Sequence, residues 1–513
     1  MASLGTTEQP APASPAYSLD GEKAGASSGA GSDAEDTRTF RQPNGETLTY
    51  TAAEERALLR KVDWLLLPIL TALYLLSFLD RSNIGNAKVE GIERDIRITN
   101  YPLVVTMFFI GYVIFEIPAN LVLKVVSARS PAWWLAFLTI AWGAISIAMG
   151  FSQNQPQILA IRFLLGMFES GLFPGCVYIF SRWYTRQERV ARVSFFFSAA
   201  AAAGSLGGIL AYAITRMDGI GGQEGWRWLF QLEGALTVVF GVIAIWAIPA
   251  WPAYTRGLTE REKSIVFARL SIDSDATEDQ KFEWSAVTDA LKDVHVWLYA
   301  FLFHGAAFSL YTLSIFLPAI IQGLGYRSYQ VQLLTIPPYF FAFLCTMACT
   351  WASRRVGLRA PFIIGALSLT ILGYIVLITS PTVGGKYTAV FLAAAGIYAA
   401  NALLLAWPSE NIMGQTKRAV GLAAMITIGN IGSIIGTNLY RVPLGTIPNH
   451  AYRYSQVFTI GWLLFAIGCA STLWVLLSRA NRRLDREEAA RRESGEADKA
   501  GAEAWRLGWR YQC

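Results

Sequence analysis

Leu65-Leu66-Leu67-Pro68-Ile69-Leu70-Thr71-Ala72-Leu73-Tyr74-Leu75-Leu76-Ser77-Phe78-Leu79-Asp80-Arg81-Ser82-Asn83 is a long apolar run that closes on an acid and a base. Counted from Trp64, Asp80 lies about 24 Å along a helix that rises ~1.5 Å per residue. That depth is still inside a hydrocarbon layer of ~30 Å. A charge there costs roughly 2.5–3.5 kcal/mol or more unless it faces protein or water. An adjacent acid and base at membrane depth therefore points to a path for ions or polar solutes.

Working outward, eleven further apolar runs follow, giving twelve expected spans. The first six cover roughly 63–84, 101–124, 132–150, 156–181, 190–215 and 227–250. The second six cover roughly 294–321, 329–351, 359–379, 387–407, 419–440 and 455–478. The fold class expected is all-α, a polytopic membrane protein of two six-helix halves. An even span number puts both termini on one side. Arg56, Arg60 and Lys61 lead into the first span, and Arg479, Arg482, Arg483 and Arg486 leave the last. Basic loops on that same side make it the cytosolic one.

Residues 1–62 read as an unstructured cytosolic tail, with no signal-peptide core. Residues 251–293 form the long central loop, in which Thr259-Glu260-Arg261-Glu262 is a capping box and Trp284 to Val296 is amphipathic. A polar stretch from Asp273 to Gln280 separates them, and 479–513 form a second tail.

Composition excludes several classes. The chain is 53% hydrophobic and 16% charged, too apolar for a soluble protein of 513 residues. The net charge of +6 is explained by cytosolic loops, so no nucleic-acid partner is expected. The five cysteines lack paired spacing, and His295, His304 and His450 are scattered, so no metal or other cofactor is expected. No nucleophile–base set or phosphate loop argues for an enzyme. The expected partners are a small solute, protons and the lipid bilayer, and the expected state is a monomer.

Within the spans, Arg162 and Glu169 stand seven residues apart, two turns along one helical face that must point inward. His304 and Tyr311 have the same spacing. Asn83 is a further pocket candidate, and Asn401, Asn430 and Asn438 could bond a polar ligand or serve as helix–helix glue. Trp407-Pro408 is expected to break the tenth span, its ring either stacking on a ring substrate or anchoring at the membrane interface. Glycines at 204, 207, 208, 429, 432 and 436 read as close helix packing. Span five offers few polar groups beyond Ser198 and Ser205, which suits a small or partly apolar solute.

Leu75-Leu76-Ser77-Phe78-Leu79-Asp80-Arg81-Ser82-Asn83-Ile84-Gly85-Asn86-Ala87 resembles the first-span signature of fungal allantoate-permease-like transporters, in the anion:cation symporter branch of the major facilitator superfamily. Glu116-Ile117-Pro118-Ala119-Asn120, Arg162 through Gly175, and Gly225-Trp226-Arg227-Trp228-Leu229-Phe230 are similar to the same family. So are Trp407, Asn411, Gly414, Lys417-Arg418, Gly429-Asn430-Ile431-Gly432 and Tyr440-Arg441. The resemblance implies proton-coupled uptake of a small organic anion at the plasma membrane. By the same resemblance, Asp80 and Glu169 carry protons, while Arg81 and Arg162 serve the anion. The superfamily's gating loop survives only in part, at Arg129 and at Arg354-Arg355. The residues leave three alternatives open: an exporter of an acidic metabolite, a nutrient-sensing receptor, and a purely structural ion network.

Overall fold

The computed structural model describes residues 37–41, 47–127, 129–272, 284–412, 415–440, 452–493 and 510–513. Strands β1 (Thr37–Arg41) and β2 (Thr47–Thr51) precede the long helix α1 (Ala52–Val89) and the single turn α2 (Ile92–Asp95). Then come α3 (Tyr101–Val126), α4 (Ala132–Met149), α5 (Gln155–Glu169), α6 (Leu172–Trp183), α7 (Arg186–Thr215) and α8 (Gly225–Ala247). The connecting helices are α9 (Glu260–Ile272) and α10 (Trp284–Lys292). The second half holds α11 (Val294–Gln322), α12 (Ser328–Val356), α13 (Ala360–Thr379), α14 (Val383–Asn411), α15 (Gln415–Leu439) and α16 (Arg453–Glu493).

Among the described residues, 12 helical segments are long and apolar enough to cross a membrane. Their ends fall near the expected ones, because apolar length sets a span while polar caps end it. Asn100 accepts from the Leu103 amide at 3.3 Å, and Asn154 from Gln157 at 3.1 Å, each beside a proline in the first turn. Thr382 accepts from Gly385 at 3.1 Å. Such caps close the orphan amides that hydrocarbon cannot solvate.

Three expectations need correction. The tail is not structureless throughout: β1 and β2 pair antiparallel from Thr37 opposite Thr51 to Arg41 opposite Thr47. Threonines and aromatics alternating at period two favour strands. Next, α1 begins at Ala52, because Thr51 and Glu54 cap each other reciprocally at 3.1 and 3.2 Å. Last, α14 runs through Pro408 to Asn411. The proline lies in its last turn, and the Ile412 amide still reaches the Pro408 carbonyl at 2.9 Å. The fourth span, by contrast, is interrupted at Ser170-Gly171 between α5 and α6, where Pro174 cannot donate to the Ser170 carbonyl. Residues 1–36 and the Asp273–Gln280 stretch lie outside the described residues, whereas the Thr259–Glu262 box forms, its amide-to-carboxylate bond being 2.8 Å.

The contacts separate two compact units, residues 1–59 with 482–510 and residues 60–481 with 511–513. In the first, Arg38 pairs with Glu55 at 3.0 Å, and Arg510 with Asp485 and Glu488 at 2.6 and 2.5 Å. In the second, α3 packs on α5 and α4 on α8, while α13 packs on α14 and α11 on α15. The two six-helix halves meet where α7 packs on α12 and α14, and α3 on α15. Asn438 of α15 donates to Thr106 of α3 across that seam at 2.7 Å. Ser194 of α7 donates to the Ala402 carbonyl of α14 at 3.2 Å. Helices α11 and α14 are buried along nearly their whole lengths and so sit centrally. Large exposed side chains such as Trp246, Trp351 and Val125 form the apolar outer surface that lipid covers.

Glycines let these helices touch. A Cβ on Gly166 of α5 would stand 2.0 Å from the Phe108 carbonyl oxygen, and one on Gly111 of α3 would stand 2.2 Å from that of Phe163. This reciprocal contact fixes the face of α5 that carries Arg162 and Glu169. The expected close packing also holds for Gly204, Gly208, Gly429, Gly432 and Gly436, while Gly207 has ordinary clearance.

Candidate functional site

Asp80 and Arg81 are neighbours on α1, so their side chains leave the helix about 100° apart. Both are buried, and they reach different partners. The Asp80 carboxylate turns toward α4 and α8, where Trp142 Nε1 donates at 3.1 Å, Ser146 Oγ at 3.0 Å and Thr237 Oγ1 at 3.2 Å. Three neutral donors thus cover both oxygens of the group.

Arg81 turns toward the seam between the halves. Its Nη2 meets Glu169 Oε1 of α5 at 2.5 Å, and its Nη1 meets the Tyr311 hydroxyl of α11 at 2.5 Å. Ser77 Oγ donates to the same Glu169 oxygen at 2.6 Å. The guanidinium also lies 5.0 Å from the Phe108 ring centre and 5.1 Å from those of Tyr112 and Tyr311. These faces add attraction to a cation withdrawn from water. Arg162 is buried as well, yet its Nε and Nη2 have no hydrogen-bond partner. Among the described residues it forms no ion pair, and Tyr101, Asp80 and Glu169 are the groups that act on it through space.

Between the halves lies a cavity of about 20 Å³, walled by Arg81, Asn430 and aromatic rings including Tyr74, Tyr112, Phe197 and Tyr311. That volume is roughly one water's worth of room. Aromatic rings crowd the Arg81 guanidinium there.

The placement of the other expected residues divides. Tyr311 and Asn430 line the cavity, and Arg81 is the only one of the four buried charges named from the sequence that does. Asp80, Arg162 and Glu169 stand behind the wall. Asn83 is not in the wall either: it donates to Glu233 of α8 and receives Asn86 at 3.1 Å. His304 is a packed, hydrogen-bonded histidine, its Nδ1 2.7 Å from the Ile428 carbonyl and its ring beside Trp462. Asn401 donates to Ile397 O of its own helix at 2.8 Å, while its buried Oδ1 has no partner. Trp407 stacks edge-on to Tyr299 and donates to the Gln512 carbonyl at 2.6 Å. His304, Asn401 and Trp407 lie outside that cavity wall.

Arg129 is exposed, its carbonyl receiving the Trp251 amide at 3.2 Å. Arg354 and Arg355 are exposed too. The buried arginine of that loop is Arg359, which grips Glu410 of α14 with two bonds of 3.1 and 3.0 Å and Ser353 at 3.0 Å. Nearby, Asp293 meets Lys417 at 2.5 Å and His295 at 2.8 Å. Partial burial pushes the Asp293 carboxyl up, but those bonds outweigh it and hold the group below the usual range.

Two buried acids inside the expected spans have no role in the sequence analysis, Glu116 being named there only within a motif. Glu233 lies on the buried stripe of α8, formed by Trp226, Leu229, Phe230, Glu233 and Thr237. Glu116 lies in α3. An acid inside an expected span was the available signal for both.

The comparisons agree with this architecture. A model of the Major Facilitator Superfamily matches residues 70–437. The chain belongs to the major facilitator superfamily. It is 32% identical over 388 residues to the high-affinity nicotinic acid transporter of Saccharomyces cerevisiae, covering 75% of this chain and 72% of that one. It is 30% identical over 466 residues to the major facilitator-type transporter hxnP of Emericella nidulans, covering 88% and 92%. The proton:xylose symporter XylE shares the fold, with a TM-score of 0.62 at 15% identity over 80% of this chain and 95% of that one. A bacterial homologue of the lysosomal transporter Spinster, solved inward-facing, gives 0.61 at 17% identity over 81% and 98%. This major facilitator protein is a multi-pass membrane transporter, and not an enzyme.

Proposed function

We propose that this transporter belongs to the anion:cation symporter branch, near the fungal allantoate-permease-like carriers, and imports a small organic anion with protons by alternating access. The observation that carries the reading is Arg81, a buried guanidinium in the cavity wall at the seam of the two halves, paired with an acid and ringed by aromatic faces. A carboxylate presents the same paired acceptors to that planar fork as Glu169 does. An entering anion therefore competes with Glu169 for Arg81. Once displaced, Glu169 would be a lone charge in a dry site, and it takes up a proton instead. Asp80 is the second exchanging acid. Arg162, with two nitrogens unused, supplies further positive charge to the anion.

The ring-rich wall suits a flat or partly apolar anion better than a polyhydroxylated one. The nicotinic acid transporter among the relatives makes nicotinate the first compound to try. Both termini lie in the cytosol, in the plasma membrane. The test is uptake of labelled carboxylate vitamins, purine breakdown products and sugar acids by cells expressing the chain, at two external pH values. Acid outside should raise uptake of the accepted anion. Arg81→Ala should cut that uptake at least about tenfold, which needs only ~1.4 kcal/mol. Full uptake by the variant would refute the role given to Arg81.

A further inference from the structure

This mechanism leaves two buried span acids idle, Glu233, which receives Asn83, and Glu116. Glu116 lies in α3, one turn along from Tyr112, a residue of the cavity wall. It is 1% exposed, and neither carboxyl oxygen has a hydrogen-bond partner. Across the seam, the Thr427 hydroxyl of α15 faces it, also without a formed bond. Thr427 directly follows Ile426, another wall residue. The groups acting on Glu116 are few: Arg81 from α1, Tyr311 from α11, and Tyr112 on its own helix. Arg81 is already paired with Glu169 of α5. Among the described residues, no ion pair joins Glu116 to a side chain of α5 or α15.

The buried acids of this region therefore differ in kind. Asp80 has three donors, and Glu169 has an arginine and a serine. Glu116 has none. An ionised carboxylate so placed is costly, and only the pull of Arg81, already paired with Glu169, and the facing Thr427 hydroxyl act against that cost. The position is also where the two halves part if they rock. We propose that Glu116 is a closure-gating proton site: the α3–α15 seam shuts only when this carboxyl carries a proton, and the proton leaves when the seam is wetted. Opening lets water accept the proton, giving a carboxylate and a hydronium ion. Closing requires a hydronium ion to return the proton first, so charge balances in each direction. Coupling to movement arises because a bare carboxylate holds the seam open.

This inference rests on the proton-coupled reading, but its test does not need a transported solute. The full chain is reconstituted in liposomes, and infrared difference spectra are taken between acidic and alkaline buffer for wild type, Glu116→Gln and Glu116→Asp. The wild type should show a protonated-carboxyl band that declines as pH rises. Part of that band should vanish in Glu116→Gln and shift in Glu116→Asp. If Glu116→Gln does not fold, the shift or its absence in Glu116→Asp decides alone. Superimposable bands from wild type and the folded variants would overturn the proposal. Where the uptake screen finds an anion, the acid-stimulated rise in its uptake should shrink at least threefold in Glu116→Gln; an unchanged rise would also overturn it. A screen that finds no anion bears on the transport reading and leaves the spectra to judge Glu116.

Discussion

Gly166→Ala tests whether helix contact sets the geometry of the charged site. The added Cβ would sit 2.0 Å from the Phe108 carbonyl oxygen, 2.9 Å from its carbon and 2.9 Å from the Tyr112 amide nitrogen. Those are backbone atoms of α3, and they cannot rotate aside as a side chain can. Ordinary contact begins at 3.4 Å, so the helices must separate by about 1.4 Å at this level. Overpacking of this kind costs about 1–3 kcal/mol, and sometimes more. The functional loss should be larger than the stability loss. Gly166 lies four residues after Arg162 and three before Glu169, so a displaced α5 carries both charges with it. A shift of about 1 Å at positioned groups can cost on the order of 100-fold in rate. The assay pairs the melting temperature of the purified protein with initial uptake of the anion found by screening. A drop of several degrees with near-complete loss of uptake is expected, and Gly111→Ala should behave alike, since its Cβ would meet the Phe163 carbonyl oxygen at 2.2 Å. A Gly166→Ala protein as stable and as active as wild type would refute the reasoning.

Tyr311→Phe removes the 2.5 Å bond to Arg81 while keeping the ring face; a lost bond to a charged group is worth about 1.5–3 kcal/mol, so half-saturation of uptake should rise at least about tenfold. Arg359→Ala leaves Glu410 buried without its two-pronged partner; removing one member of such a pair costs about 3–5 kcal/mol, which thermal unfolding in detergent should register as a marked fall. The Asp293–Lys417 bridge has a defined pH window: the acid's folded-state titration is depressed, so its contribution is present above the ordinary value of ~3.9 and is lost only as pH falls through the lower folded value. The melting difference between wild type and Lys417→Ala should therefore stay level from about pH 5 to 8 and narrow only in stronger acid.

Much of the fold was written in apolar run lengths. The span from Val294 begins where Asp293 caps its helix, receiving the His295 amide at 2.9 Å. Asp80 and Arg81 were legible because charge in a hydrocarbon-length run has no cheap explanation. The separate destinations of the two were not legible. Adjacent residues diverge on a helix, and only packing decides that one meets Trp142 while the other meets Glu169. His304 and Asn401 illustrate the converse. His304 shares a helical face with Tyr311 and Asn401 lies inside a span, yet a ring nitrogen of the first and the amide nitrogen of the second meet backbone carbonyls. Glu233 went unread although it shares the inward stripe of α8 with Thr237, which also bonds Asp80. Testing each span for acids on its inward stripe would have found it. The solute is not written in any spacing, because the cavity wall takes residues from helices of both halves.

The chamber around Arg81 holds little more than one water molecule. A hydrated ion, with its shell of waters, is larger than that space. While the seam stays shut, the steep gradients a cell maintains should not bleed through the unloaded carrier, and traffic is confined to moments when cargo wedges the rings apart.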